Sequence, residues 1–113
     1  IQKLKIKDGI TINKPKNLDT FKEIYKLMQF IDSCDFIISV SNSNVHLSAI
    51  MGKPIYLLLP KDIGRLWYWE NVIDGKNIWY PSCKITKFIQ HEYNEWEESL
   101  NKLREQIKLD WKI

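Results

Sequence analysis

Apolar residues recur along this chain with two different periods, and the changes between them mark out the elements. Residues 3–7 read Lys-Leu-Lys-Ile-Lys, and strict alternation predicts a half-buried strand with Leu4 and Ile6 inward. Lys14-Pro15-Lys16-Asn17 reads as a loop. Thr20-x-x-Glu23 fits a capping box, with Asp19 as a competing cap. Behind it, Phe21, Ile24, Tyr25, Met28 and Ile31 fall at helical spacing and predict one apolar face of a helix ending near Asp32 or Ser33. Phe36-Ile-Ile-Ser-Val40 is almost continuously apolar, as suits a parallel strand covered on both faces. Ser41-Asn42-Ser43-Asn44 follows, four residues that favour turns and helix N-caps. Val45 to Met51 fits a short helix, with Gly52 at its C′ position and Pro54 barring continuation. Ile55-Tyr-Leu-Leu-Leu59 is a second buried strand, so the stretch is a βαβ unit with a right-handed crossover.

Pro60 to Asn77 has no clear period. It holds Gly64, Trp67, Tyr68, Trp69 and Gly75, and reads as a loop with a helical turn. Ile78-Trp79-Tyr80-Pro81 reads as a short strand or extended edge, since Pro81 has no N–H for a central ladder. Cys83 to Phe88 reads as another strand. Trp96, Leu100, Leu103, Ile107 and Trp111 then recur at steps of four, three, four and four, the stripe of a long final helix packed on a sheet. Glu92, Glu95, Glu97 and Glu98 gather at its start and Lys102, Arg104, Lys108 and Lys112 toward its end, which complements the helix dipole. The expected fold is α/β: a mostly parallel, Rossmann-like sheet flanked by helices, with a long C-terminal helix. The 113 residues read as a single domain, a fragment of a longer two-domain or repeat-containing protein.

Composition adds mainly exclusions. With 44% hydrophobic and 27% charged residues the chain can form a core, and the formal net charge is only +3. Up to Pro60 there are 8 basic and 5 acidic residues, and 9 of each beyond it, so no block of charge suggests a nucleic acid or an anionic membrane as partner. The longest apolar runs are too short to span a bilayer. The two cysteines, Cys34 and Cys83, form no CxxC pair, and His46 and His91 lie far apart, so neither a metal site nor a cofactor is expected. Both thiols read as reduced and near the core, the usage of a cytoplasmic protein.

Candidate chemistry gathers at one end of the sheet. In open parallel sheets, ligands bind outside the carboxyl ends of the strands. Two loops leave such ends here: Ser41–Asn44, and Pro60–Asn77. The first opens a helix, whose leading N–H groups lack internal acceptors and carry the positive end of the dipole. A phosphate satisfies both. Ser41, Asn42, Ser43 and Asn44 add neutral hydrogen-bonding groups, and His46 falls in the first helical turn, in reach of a phosphate or sugar oxygen. A plainer reading is that Asn42 or Ser43 caps the helix and His46 bonds a nearby carbonyl. The second loop offers Lys61 and Arg65 to a diphosphate and Trp67 to a base or sugar face. Its plainer reading is solvated charges and tryptophans filling the core edge.

Ile37-Ile-Ser-Val-Ser-Asn-Ser-Asn-Val-His-Leu-Ser-Ala-Ile-Met-Gly-Lys-Pro54, with Leu57-Leu-Leu-Pro60 behind it, resembles the donor-site signature of heptosyltransferase-like proteins, glycosyltransferase family 9. It is also similar to the related domain at the C-terminal end of many bacterial tetratricopeptide-repeat proteins, which Trp67-Tyr-Trp69 and Trp79-Tyr-Pro-Ser82 fit especially well. The similarity covers roughly residues 18–90. It implies the C-terminal half of a GT-B architecture, the half that holds a nucleotide-diphosphate sugar. Asn42, Ser43 and His46 then fall on the loop that meets the donor's phosphates and sugar. The remaining partner is the missing N-terminal half or repeat domain. Two positions depart from the pattern: Ser41 stands where an acidic residue commonly opens the loop, and Asn44 replaces a small apolar residue. The general base of such enzymes usually comes from the other half, so no catalytic residue is assigned. The alternative is a non-catalytic binding or scaffold module that keeps the fold.

Overall fold

The computed structural model describes residues 2–5, 11–14, 23–62 and 67–112. Ile6, Lys7, the loop from Pro15 to Asn17, the caps Asp19 and Thr20, Phe21, Gly64 and Arg65 lie outside them. Strands β1 (Gln2–Lys5) and β2 (Thr11–Lys14) form an antiparallel hairpin. Helix α1 (Ile24–Asp32), β3 (Ile37–Val40), α2 (Ser43–Ile50) and β4 (Ile55–Leu59) follow. A 3₁₀ turn at Trp67–Trp69 leads into the small hairpin of β5 (Val72–Ile73) and β6 (Lys76–Asn77). The chain then enters β7 (Ile85–Ile89) and α3 (Glu97–Trp111). The main sheet is three-stranded and parallel, in the order β3-β4-β7, with Ile37, Ile55 and Ile85 in register. The domain is thus α/β, a small parallel sheet flanked by helices with a long C-terminal helix.

The central strand explains the continuous apolar run at 55–59. Strand β4 is paired on both edges and covered on both faces, so its alternate residues enter two different cores. On one face Ile55, Leu57 and Leu59 pack with Val45 and Ala49 of α2, Trp69 and Cys83. On the other, Tyr56 packs with Phe88 and with Leu103 of α3. Helix α2 stops where expected, with Gly52 in the left-handed region at φ 76°, a conformation a Cβ would strain.

Three expectations are corrected. In α1 the buried residues are Leu27 and Ile31, whereas Ile24 and Tyr25 point outward, Tyr25 at 79% exposure. Among the described residues of the predicted apolar face only Ile31 is buried, together with Leu27. In α3 the predicted stripe holds at Leu103, which is buried, and at Ile107, which packs against the same cluster, but Leu100 is 47% exposed and Ser99 is buried instead. The line is turned because polar members are bonded inward: Ser99 Oγ donates to the Ile89 carbonyl (3.0 Å), and Asp110 Oδ2 accepts from the Tyr56 hydroxyl (2.7 Å). Residues 78–81 form no strand. The buried Asn77 accepts the N–H groups of Trp79 (2.9 Å) and Tyr80 (3.3 Å) on its Oδ1, which bends the backbone there.

Asp74-Gly75 builds the β5–β6 hairpin. Both residues have positive φ, 54° and 76°, as a two-residue turn of the twisted hairpin type requires. Among the described residues no helix is long and apolar enough to cross a membrane.

Candidate functional site

The loop after β3 is first a cap. Asn42, the N-cap of α2, is extended and accepts the Val45 N–H on Oδ1 (3.2 Å) while its Nδ2 donates to Ser39 Oγ (3.1 Å). An Asn in this role stabilises a helix by roughly 0.5–2 kcal/mol relative to Ala. Ser43 and Asn44 are the exposed first residues of the helix, and the Asn44 carbonyl accepts the Ser48 hydroxyl (2.7 Å). Ser41 turns the other way. Its Oγ accepts the indole N–H of Trp69 at 2.9 Å, which ties the first loop to the second.

His46 is half-buried one turn into α2, and three aromatic rings surround it. Trp69 stacks on it at 4.8 Å with the planes 22° apart. Tyr68 meets it edge-on at 4.9 Å. Its Nδ1 lies 2.6 Å from the Tyr80 hydroxyl. Burial, with the nearby Tyr68 and Cys83, raises the Tyr80 pKa above its ordinary 10.0, so this hydroxyl keeps its proton through neutral pH and can donate it to Nδ1.

Asn77 holds the aromatic wall in place. Beyond the two amides on its Oδ1, its Nδ2 donates to the Tyr68 carbonyl at 3.0 Å. One side chain therefore sets the position of both tyrosines around His46. Beside the ring is a pocket of about 220 Å³ lined by His46, Tyr68, Trp79 and Tyr80, with almost wholly apolar walls.

The other residues expected at the site are distributed differently. Lys61, in the loop after β4, is held by the segment that follows β7. Its N–H donates to Gln90 Oε1 (3.3 Å), and its ammonium lies 3.4 Å from Glu92 and 5.6 Å from the Tyr93 ring centre. Its charge is thus already partnered. Trp67 opens the 3₁₀ turn, and Arg65 lies outside the described residues. The structure joins Ser41 and His46 in one aromatic cluster and adds Tyr68, Trp69, Asn77, Trp79 and Tyr80, which were not read as site residues. The available signal was the aromatic run Trp67-Tyr68-Trp69 in an aperiodic loop after a buried strand, with Trp79-Tyr80 just beyond it.

Among the described residues no group of His, Cys, Asp and Glu is arranged to hold a metal ion. No family model, curated protein or solved structure matches the chain.

Proposed function

We propose that this domain binds a nucleotide-diphosphate sugar at the rim formed by the β3–α2 loop and the aromatic turn after β4, as the donor-binding half of a glycosyltransferase-like protein of GT-B architecture. The observation that carries the proposal is the convergence of the donor-type loop, Ser41 to His46, with an aromatic pocket at the first turn of the same helix. The exposed leading residues of α2 offer an anion the positive end of a helix. A pocket of about 220 Å³ is smaller than the roughly 300–1,000 Å³ of whole small-molecule sites. It takes one ring of the ligand, with the diphosphate lying outside on the helix end. There the charge that develops on a leaving diphosphate is stabilised by prearranged N–H groups.

The test is a titration of the full-length protein with UDP-, GDP- and ADP-sugars, followed by amide shifts of residues 42–46. Shifts at those residues and at Tyr68 and Tyr80 are expected. Their absence at millimolar ligand overturns the reading. One observation favours a module that binds without turnover. Ser41, at the position of the family's acidic residue, is a neutral hydroxyl already engaged by Trp69. Retained binding with no transfer to any acceptor supports that second reading, and turnover removes it.

A further inference from the structure

The two ring nitrogens of His46 are in different situations. Nδ1 lies 2.6 Å from the Tyr80 hydroxyl. Nε2 has no hydrogen-bond partner among the described residues, and it is not buried, since every buried side-chain nitrogen and oxygen there has one. The ring is held between Trp69, stacked on it at 4.8 Å, and Tyr68, edge-on at 4.9 Å. It forms one wall of the pocket of about 220 Å³, with Tyr68, Trp79 and Tyr80 as the others. Nε2 is therefore the imidazole nitrogen open to a ligand.

The contact at Nδ1 decides what Nε2 can offer. Either the Tyr80 hydroxyl donates to a bare Nδ1, or an N–H at Nδ1 donates to the Tyr80 oxygen. A separation of 2.6 Å is shorter than the roughly 2.7–3.2 Å over which N–H groups donate to oxygen, and suits an O–H donor. The second arrangement also leaves the phenol proton with no acceptor among the described residues, whereas the first satisfies both groups. The hydroxyl is delivered from a fixed place, because Asn77 Oδ1 accepts the Tyr80 N–H at 3.3 Å.

We propose that Tyr80 is the positioning residue of this pocket: its hydroxyl donates to Nδ1 and fixes the imidazole proton on Nε2, which makes His46 a hydrogen-bond donor to the ligand. The class of ligand follows from that donor and the apolar walls. The pocket takes a ring with an apolar or flat face and an acceptor oxygen at its edge, a carbonyl, ether or hydroxyl. A pure hydrocarbon ring leaves the N–H stripped of water and unmatched. The identity of the ring rests on the proposed binding of a sugar nucleotide, whereas the place of the proton does not.

Ring nitrogen shifts test both parts. The whole chain carries two histidines, so a His91→Gln background leaves the signals of His46 alone. With the imidazole labelled in nitrogen-15 and the sample at about pH 8, Nδ1 is expected to read as a bare acceptor and Nε2 as a protonated nitrogen. Tyr80→Phe should spread the proton over both nitrogens. It should also weaken binding of UDP-, GDP- or ADP-sugars roughly fivefold, the effect of one lost hydrogen bond. Binding of such a sugar to the protein with Tyr80 intact should shift the Nε2 signal. A proton found on Nδ1 overturns the proposal, as do ring shifts that Tyr80→Phe leaves unchanged. An Nε2 signal that no sugar nucleotide moves overturns the donor role. The amides of residues 42–46, followed in the same titration, report binding separately: if they shift while Nε2 does not, the donor role alone falls, and if they stay still, the sugar-nucleotide reading falls with it.

Discussion

His46 Nδ1 and the Tyr80 hydroxyl meet at 2.6 Å across 34 residues of sequence, joining the first turn of α2 to the segment that enters β7. Tyr80→Phe keeps the ring and removes only this bond, so a loss of about 1 kcal/mol is expected. His46→Ala removes the bond and the contacts with Trp69 and Tyr68 as well, for a loss of roughly 2–4 kcal/mol. Chemical denaturation of both variants checks this. Equal stabilities would show that the ring contacts of the imidazole with Trp69 and Tyr68 do not support the fold.

Asn42 lets capping and anion binding be separated. Asn42→Ala should lower stability by about 1 kcal/mol through the lost cap. Asn42→Asp keeps the cap and favours the helix dipole, so stability should be unchanged or slightly raised. The same substitution sets a negative charge at the helix end and should weaken pyrophosphate binding severalfold. Unchanged affinity in Asn42→Asp would argue that the loop is a cap alone.

The turned face of α3 has a direct consequence. Leu103→Ala opens a cavity in the core with Tyr56 and Phe88 and should cost roughly 2–5 kcal/mol. Leu100→Ala, on the exposed side, should cost less than about 1 kcal/mol. A comparison of denaturation midpoints decides it; similar losses at both sites would mean that the stripe read from the sequence is the one that packs.

Tyr56, Asp110 and Trp111 clasp the end of α3 to the sheet. Asp110 accepts from Tyr56 and from Gln106 (2.9 Å), and the Trp111 indole donates to the Tyr56 oxygen (3.0 Å). The Tyr56 bond, then the Gln106 bond, hold the Asp110 pKa below its ordinary 3.8. A lowered carboxyl pKa means that the unfolded chain binds the proton more readily, so this stabilisation is complete above 3.8 and is lost as pH falls through the lower folded value. The difference in Tm between the unmodified protein and Asp110→Asn should therefore shrink below about pH 4. Burial, with the Asp110 bond, raises Tyr56 above 10.0, so its share is present below pH 10 and is lost above it.

Cys83 is predicted to be inert. Burial pushes its thiol up to about 11, and its Sγ bonds the Lys53 carbonyl at 3.0 Å. Iodoacetamide at pH 8 should leave Cys83 unmodified in the native protein and alkylate it after denaturation, as read by peptide mass spectrometry. Native modification of Cys83 would contradict its burial.

The local elements of this protein follow from its sequence by itself. Period-two and near-continuous apolar runs identify β3, β4 and β7 because a strand exposes alternate residues to two faces. Gly52 and Pro54 end α2 through backbone restrictions that act within a few residues. The cap at Asn42 is equally local. The tertiary structure decided the rest, because it depends on which face meets what. Periodicity in α3 marked a line through Leu100, but bonds from Ser99 to Ile89 and from Asp110 to Tyr56, partners on other elements, rotate the helix so that Leu103 alone of its leucines is buried. The surroundings of His46 were hidden for the same reason. Tyr68, Trp69 and Tyr80 converge on it through Asn77 and Ser41, by side-chain bonds between segments far apart in the chain, and no pattern of neighbouring residues encodes such a meeting.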